Sequence, residues 1–145
     1  MAAEFIYFHD VKYYETDQMG IVHHSNYIRW MEEARCAWLT KVGFGLEEFE
    51  TAGIVSPVVS VSGRYLKPAV FPEQVKIIVK IILATGVRMK ISYKMISGGK
   101  EVFEGDSEHC FTRTEGGIVN IKREFPEFYD ILRSYLETGD SDNTT

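Results

Sequence analysis

The sequence predicts an α+β domain in which one long helix packs against an antiparallel run of strands. Apolar residues recur at helical spacing over only one long segment, at 26–42. Most of the chain after it alternates between apolar and polar residues, with glycine-containing turns between the alternating segments. A single helix followed by consecutive strands is typical of α+β architecture.

The N-terminal part is predicted to form a strand and then the long helix. Residues 4–15 are rich in aromatic and β-branched side chains, which favour a strand. The helix at 26–42 has Ser25 or Asn26 as a suitable N-cap, and Gly43 suits the position just after its end. Because this helix contains both tryptophans of the chain, we expect the fold to enclose it.

Most of the chain after the helix is predicted to be strand. Segment 87–95 alternates cleanly, and the turn at 97–100 leads into a returning strand at 101–113. Acidic side chains on the returning strand can pair with basic ones opposite, at roughly 0.2–1 kcal/mol for each well-placed pair. The other predicted elements are a helical turn at 46–51, strands at 58–66, 75–83 and 118–121, and a helix at 126–137.

Length, charge and cysteine content limit the classes of function. At 145 residues the chain fits one domain, expected at 1–138, with a disordered tail at 139–145. A net charge of -5 argues against a general nucleic-acid binder, and no apolar stretch reaches membrane-spanning length. Cys36 and Cys110 lie far apart without CxxC spacing, so we expect neither a disulfide nor a metal site in a cytoplasmic protein.

Segment 14–27 concentrates the candidate functional residues between the first strand and the helix. It contains the carboxylate of Asp17, a turn at Gly20 and the adjacent pair His23 and His24. A carboxylate can act as a base or nucleophile, and free N–H groups at a helix start can stabilise a developing oxyanion. This combination suits attack on an ester or thioester.

The residues from Tyr14 to Tyr27, with Arg64-Tyr65-Leu66-Lys67-Pro68-Ala69 downstream, resemble the acyl-CoA thioesterases of the hotdog fold. The resemblance is greatest to the 4-hydroxybenzoyl-CoA thioesterase group and its short-chain bacterial relatives. The pattern is Asp-x-x-Gly-(Ile/Val)-Val-x-(His/Tyr)-x-x-Tyr, placed between strand and helix. The resemblance covers nearly the whole chain. It implies a central helix wrapped by a curved antiparallel sheet of about five to six strands, with a C-terminal helix.

The resemblance also implies a role for each matching residue. Asp17 would be the catalytic nucleophile or general base, and Gly20 would shape the turn. The backbone N–H of His24 would polarise the thioester carbonyl, and its side chain can add to the chemistry. No cofactor is implied. The residues implied in binding the acyl-CoA substrate are Asn26, Tyr27, Arg64, Tyr65 and Lys67.

Several of these residues also have a purely structural interpretation. Asp17 could serve only as a turn residue, and His23 is interpreted as structural. We expect His109 to be a packed, hydrogen-bonded histidine, with pocket lining as the alternative. Glu15 is interpreted as a surface group or as a group behind the site.

The sequence leaves several functions open besides acyl-CoA hydrolysis. Hydrolysis of acyl carrier protein thioesters would use the basic residues Arg64 and Lys67. A hydratase of the same fold and a non-catalytic acyl-CoA-binding protein are further alternatives. A lone helix on one sheet leaves apolar surface uncovered, so we expect a homodimer or a tetramer built from two dimers.

Overall fold

The computed structural model describes residues 3–136, and these form the α+β arrangement that the sequence predicts. A short 3-10 turn at Tyr13–Glu15 precedes the long helix. The helices are α1 (Ser25–Lys41), α2 (Leu46–Thr51), α3 (Ile121–Glu124) and α4 (Pro126–Tyr135). The strands are β1 (Phe5–Asp10), β2 (Ile54–Val55), β3 (Val58–Tyr65), β4 (Gln74–Ala84), β5 (Arg88–Ser97), β6 (Lys100–Cys110) and β7 (Thr112–Arg113).

Five of the strands form one antiparallel sheet in the order β1-β4-β5-β6-β3, and β2 pairs separately with β7. Helix α1 packs against the sheet through the core that it shares with β4 and β5. Trp30 and Trp38 are both 0% exposed, so the predicted enclosure of the helix is confirmed.

The predicted alternation is confirmed from Arg88 to Met95, where the apolar residues are buried and the polar ones are not. Val87, predicted on the same face as these apolar residues, precedes β5 and is exposed. On the outer face, Lys90 lies opposite Glu108 and Lys94 lies opposite Glu104. Arg88 forms an ion pair with Glu108. The outer face of β5 and β6 therefore carries the opposite charges that the sequence predicts.

Two predicted strands were wrong in extent or type. The first ends at Asp10, because the Glu15 side chain accepts the Lys12 N–H (2.7 Å) and holds a 3-10 turn. The strand predicted at 118–121 is a single bridge at Ile118 followed by α3. The Asn120 side chain accepts the Arg123 N–H (3.2 Å), which caps a helical turn in place of a strand.

The helix ends observed in the structure differ slightly from the predicted ones. The N-cap of α1 is His24, one residue before the predicted caps, and Gly43 follows its end with φ +91° as expected. Helix α4 ends at Tyr135, whereas the tail predicted at 139–145 lies outside the described residues. Among residues 3–136, no helix is long and apolar enough to cross a membrane.

Candidate active site at the start of the long helix

Asp17 opens a tight turn that the neighbouring backbone closes. Its N–H donates to the Ile21 carbonyl (2.8 Å), and its carbonyl accepts the Gly20 N–H (3.0 Å). Gly20 has φ +82°, a conformation that favours glycine, which explains the glycine at this position. The side-chain Oδ1 of Asp17 accepts the Met19 N–H (2.8 Å). Asp17 is therefore a turn residue, and its Oδ2 makes no hydrogen bond within residues 3–136.

Three backbone contacts fix this turn beside the first residues of α1. Thr16 and Val22 form an antiparallel bridge, and the Val22 N–H donates to the Ala69 carbonyl (2.9 Å). The His23 N–H donates to the Glu15 carbonyl (2.8 Å). The turn is thus held from both sides, which favours a fixed position for the Asp17 carboxylate.

The helix start exposes an unused donor. His24 is the N-cap, and its N–H has no acceptor within the described chain. The side-chain acceptor at this end of the helix comes from the preceding residue, because His23 Nδ1 accepts the Ser25 N–H (3.2 Å). This contact supports the structural interpretation of His23. A free N–H at the positive end of a 17-residue helix is suited to a partial negative charge.

The other residues predicted to bind substrate fall into three groups. Asn26 and Tyr27 are buried, and the Asn26 amide donates to the Glu15 carbonyl (2.8 Å), so both shape the helix start. The Tyr65 hydroxyl donates to the His24 carbonyl (3.2 Å) and thereby ties the end of β3 to the helix. Arg64 and Lys67 are exposed, and Arg64 forms an ion pair with Glu104 (3.6 Å). Among the residues predicted to bind substrate, these two are the exposed cations, and Arg64 already has a carboxylate partner.

Glu15 has a larger role than the sequence indicates. The residue is 7% exposed and accepts hydrogen bonds from three directions. The donors are the Lys12 N–H (2.7 Å), His9 Nε2 (2.9 Å) and Trp30 Nε1 (2.9 Å). The surface interpretation of Glu15 was therefore wrong, and its burial agrees with the alternative of a group behind the candidate site.

These contacts join β1, the turn and α1 into one buried polar network. His9 Nδ1 lies 3.1 Å from Glu33 Oε1, so both ring nitrogens of His9 face carboxylates. Burial alone would raise the pKa of Glu15, but the hydrogen bonds from His9, Lys12 and Trp30 outweigh it and lower that pKa. Glu15 thus holds its negative charge behind the candidate site.

His109 is a packed histidine, as expected. It is 1% exposed, and its Nε2 lies 2.7 Å from Ser107 Oγ, which in turn contacts the Tyr93 hydroxyl (2.8 Å). Burial, aided by the positive charge of Arg35, lowers the pKa of His109 to about 4. The imidazole is therefore neutral at pH 7. Across residues 3–136, no cluster of three His, Cys, Asp or Glu side chains could hold a metal ion.

The sequence comparisons place the chain in a family. The family model described as the Thioesterase-like superfamily matches residues 11–133. The chain is 32% identical over 122 residues to YneP of Bacillus subtilis (strain 168), provisionally named an acyl-CoA thioesterase. That match covers 83% of this chain and 88% of the relative. A protein of Aquifex aeolicus (strain VF5), provisionally named an esterase, is 32% identical over 123 residues, covering 85% of this chain and 95% of the relative.

The fold comparison agrees with the sequence comparison. The structure of a DHNA-CoA thioesterase from Staphylococcus aureus superposes with a TM-score of 0.87 at 26% identity. The match covers 98% of this chain and 96% of that one. The predicted hotdog fold is confirmed. The chain therefore belongs to the Thioesterase-like superfamily and is a thioester hydrolase, as the motif around Asp17 predicts.

Proposed function

We propose that the protein hydrolyses acyl-CoA thioesters to a carboxylic acid and free coenzyme A, with Asp17 as the catalytic carboxylate. The proposal rests on one arrangement: the unbonded Oδ2 of Asp17 belongs to a turn held beside the unused N–H of His24. The relatives named for acyl-CoA and DHNA-CoA substrates support coenzyme A as the carrier.

The chemistry follows from these two groups. The His24 N–H would donate a hydrogen bond to the carbonyl oxygen and stabilise the negative charge that develops there as the tetrahedral intermediate forms. Asp17 would remove a proton from the attacking water, or attack the carbonyl carbon itself to give a mixed anhydride that water then opens. In either route the C–S bond breaks, and the leaving thiolate takes up a proton to give coenzyme A.

Replacing the carboxylate tests this role. We expect Asp17→Asn to lower kcat by roughly 10²–10⁴-fold, the usual contribution of a general base. Thiol release would be measured over short, long and aromatic acyl-CoAs. Asp130→Asn is the matched control, since Asp130 lies exposed on α4, and it should leave kcat unchanged. An Asp17→Asn enzyme as fast as the parent would contradict the proposal.

Isotope labelling tests for the nucleophilic route. In a single turnover in H₂¹⁸O, water that attacks the acyl carbon, whether of the thioester or of the mixed anhydride, places the label in the product acid. Attack by Asp17 followed by hydrolysis at its own carboxyl carbon leaves the first product unlabelled and puts ¹⁸O into Asp17. Peptide mass spectrometry of the enzyme reads out the second result.

The proposal includes a role for the exposed cations and for assembly. Arg64 and Lys67 would attract the phosphates of coenzyme A, a role favoured by their exposure. All residues of β3 are exposed, including Val59 and Val61, and within residues 3–136 only β6 pairs with this strand. An edge that is both open and apolar favours pairing with a second copy, which gives a homodimer or a tetramer of two dimers in the cytoplasm.

A further inference from the structure

A cavity of about 390 Å³ lies between α1, α2 and the segment that leads into β3. Its walls include the apolar side chains of Leu46, Phe49 and Ile54, and Ser56 and Thr114 add polar groups. Cavities of this size with mostly apolar walls and a few polar groups are typical of small-molecule sites. Neither the proposed chemistry at Asp17 nor the binding of coenzyme A phosphates uses this cavity.

One charged side chain reaches this cavity from the buried side of α1. The Arg35 side chain is only 8% exposed, yet within residues 3–136 its guanidinium donates no hydrogen bond. The one carboxylate oxygen within 4 Å belongs to Glu32, at 3.8 Å, and that side chain is 69% exposed. Glu50 also lines the cavity, but it is exposed and forms no ion pair with Arg35 in the described chain.

The Arg35 guanidinium is available to an acceptor that enters the cavity. It keeps its charge at any pH of interest and carries five N–H donors in a planar fork. None of its nitrogens is among the fully buried polar atoms that lack a partner within residues 3–136, so water in the open cavity reaches them, and a bound carboxylate would replace that water. The effect of the guanidinium on its surroundings is already visible, because the charge of Arg35 helps to lower the pKa of the buried His109.

The cavity is separate from the turn that holds Asp17. Arg35 follows Ser25 by ten positions along α1. At 1.5 Å per residue this is about 15 Å along the helix axis. A thioester carbonyl held at the start of α1 would therefore lie outside the cavity, and only the far end of a long acyl group could extend into it.

We propose that this cavity binds a small carboxylate with an apolar body, whose carboxylate forms a two-point contact with the Arg35 guanidinium. Paired donors on a planar fork match the two oxygens of a carboxylate, which a point charge does not. The apolar walls suit a ring or a short hydrocarbon chain. The carboxylate can belong to a free acid, or to the far end of an acyl group that carries a second carboxylate.

Binding of benzoate and of its neutral analogue benzamide tests the proposal without any need for hydrolysis. We expect calorimetry to show saturable benzoate binding and at least tenfold weaker binding of benzamide. Benzoate should shift the backbone amide signals of Ser56 and Thr114 in ¹H–¹⁵N spectra. Equal affinity for the two compounds, or no saturable benzoate binding, would overturn the proposal.

Substitutions then assign the contact to Arg35. Arg35→Met should weaken benzoate binding at least tenfold, whereas Arg123→Met, at an exposed arginine of α3, should leave it unchanged. Arg35→Lys keeps the charge but loses the fork, so we expect binding between that of the parent and the methionine variant. Benzoate binding that survives Arg35→Met would contradict the assignment. If circular dichroism shows that Arg35→Met does not fold, the assignment is tested with two other measurements. These are benzoate binding to Arg35→Lys and the ratio of benzoate to benzamide affinity in the parent protein.

A kinetic arm identifies the source of the carboxylate and rests on the proposed thioesterase function. Two acyl-CoAs are compared, one whose acyl group ends in a carboxylate and one whose acyl group ends in a methyl group. The ratio of their kcat/KM values is measured in the parent protein and in Arg35→Met. A tenfold fall of this ratio in Arg35→Met places the site at the far end of the acyl group. An unchanged ratio, with benzoate binding still dependent on Arg35, points to a free acid.

Discussion

Replacing Glu15 by glutamine should destabilise the protein more than its conservative chemistry suggests. The carboxylate accepts from Lys12, His9 and Trp30, and its two oxygens share these three donors. Glutamine offers a single acceptor oxygen and adds an NH₂ group. At least one buried donor would then face another donor.

The size of the effect follows from these contacts. A hydrogen bond to a charged group contributes about 1.5–3 kcal/mol, and a buried donor left without an acceptor costs about 1–3 kcal/mol. Allowing for relaxation, we expect Glu15→Gln to lower the free energy of unfolding by about 2–4 kcal/mol. For a chain of this length that corresponds to a fall in Tm of roughly 6–12 °C.

Urea unfolding followed by tryptophan fluorescence is the appropriate assay, because Trp30 donates directly to Glu15. Glu33→Gln is the matched control. Glu33 contacts the other ring nitrogen of His9, but its side chain is 41% exposed. We expect this control to cost less than about 1 kcal/mol. A Glu15→Gln variant no less stable than Glu33→Gln would refute the reasoning.

Acid titration gives the same prediction a second readout. Because the pKa of Glu15 is lowered from 4.5 in the folded state, its contribution is present above pH 4.5 and is lost as pH falls below that value. Glu15→Gln has no such contribution to lose. The difference in stability between parent and variant should therefore narrow as the pH is lowered, and a constant difference would contradict the role of the charge.

Three further predictions concern other parts of the molecule. The folded pKa of His109 is about 4, against 6.5 ordinarily, so the unfolded chain binds one more proton between these values and stability should rise with pH across that window. His109→Gln should flatten that rise in urea titrations at several pH values, and an unchanged slope would show that other groups cause it. Gly20→Ala should cost about 1–2 kcal/mol, because alanine is strained at φ +82° although no atom lies within 4 Å of the added Cβ; thermal unfolding measures the loss. If two copies pair through the open edge of β3, as proposed, Val61→Lys should lower the proportion of oligomer in sedimentation velocity relative to the parent, and an unchanged distribution would contradict pairing at this edge.

The sequence predicted the parts of the fold that depend on local pattern. Segment 87–95 could be predicted because one of its faces is buried and the other is not, so alternation maps directly onto β5. The segment 118–121 could not, since its apolar residues suit a strand or a buried turn equally well. The outcome depends on the Asn120 cap and on the Ile121 N–H, which donates to the distant Gly86 carbonyl (2.7 Å). A contact over that separation leaves no local signal.

The same distinction applies to the candidate site. Asp17, Gly20 and His24 lie within eight residues, so a motif could identify them. The role of Glu15 depends on His9 and Trp30, which lie on two other elements. The strand predicted at 4–15 would have continued to Glu15, and the 3-10 turn at Tyr13–Glu15 interrupts it. The error thus has a specific cause in the backbone.

Arg35 differs, because the sequence did contain a signal for it. The spacing Met31–Arg35–Leu39 places the arginine four residues from two buried apolar residues on the same face of α1. A charged residue at such a position must find a partner inside the fold or face a cavity that water can enter. Within residues 3–136 the structure offers only the long contact to Glu32, which does not satisfy a five-donor fork. The spacing alone could have raised the question of a partner, and the adjoining cavity gives that question a place to be answered.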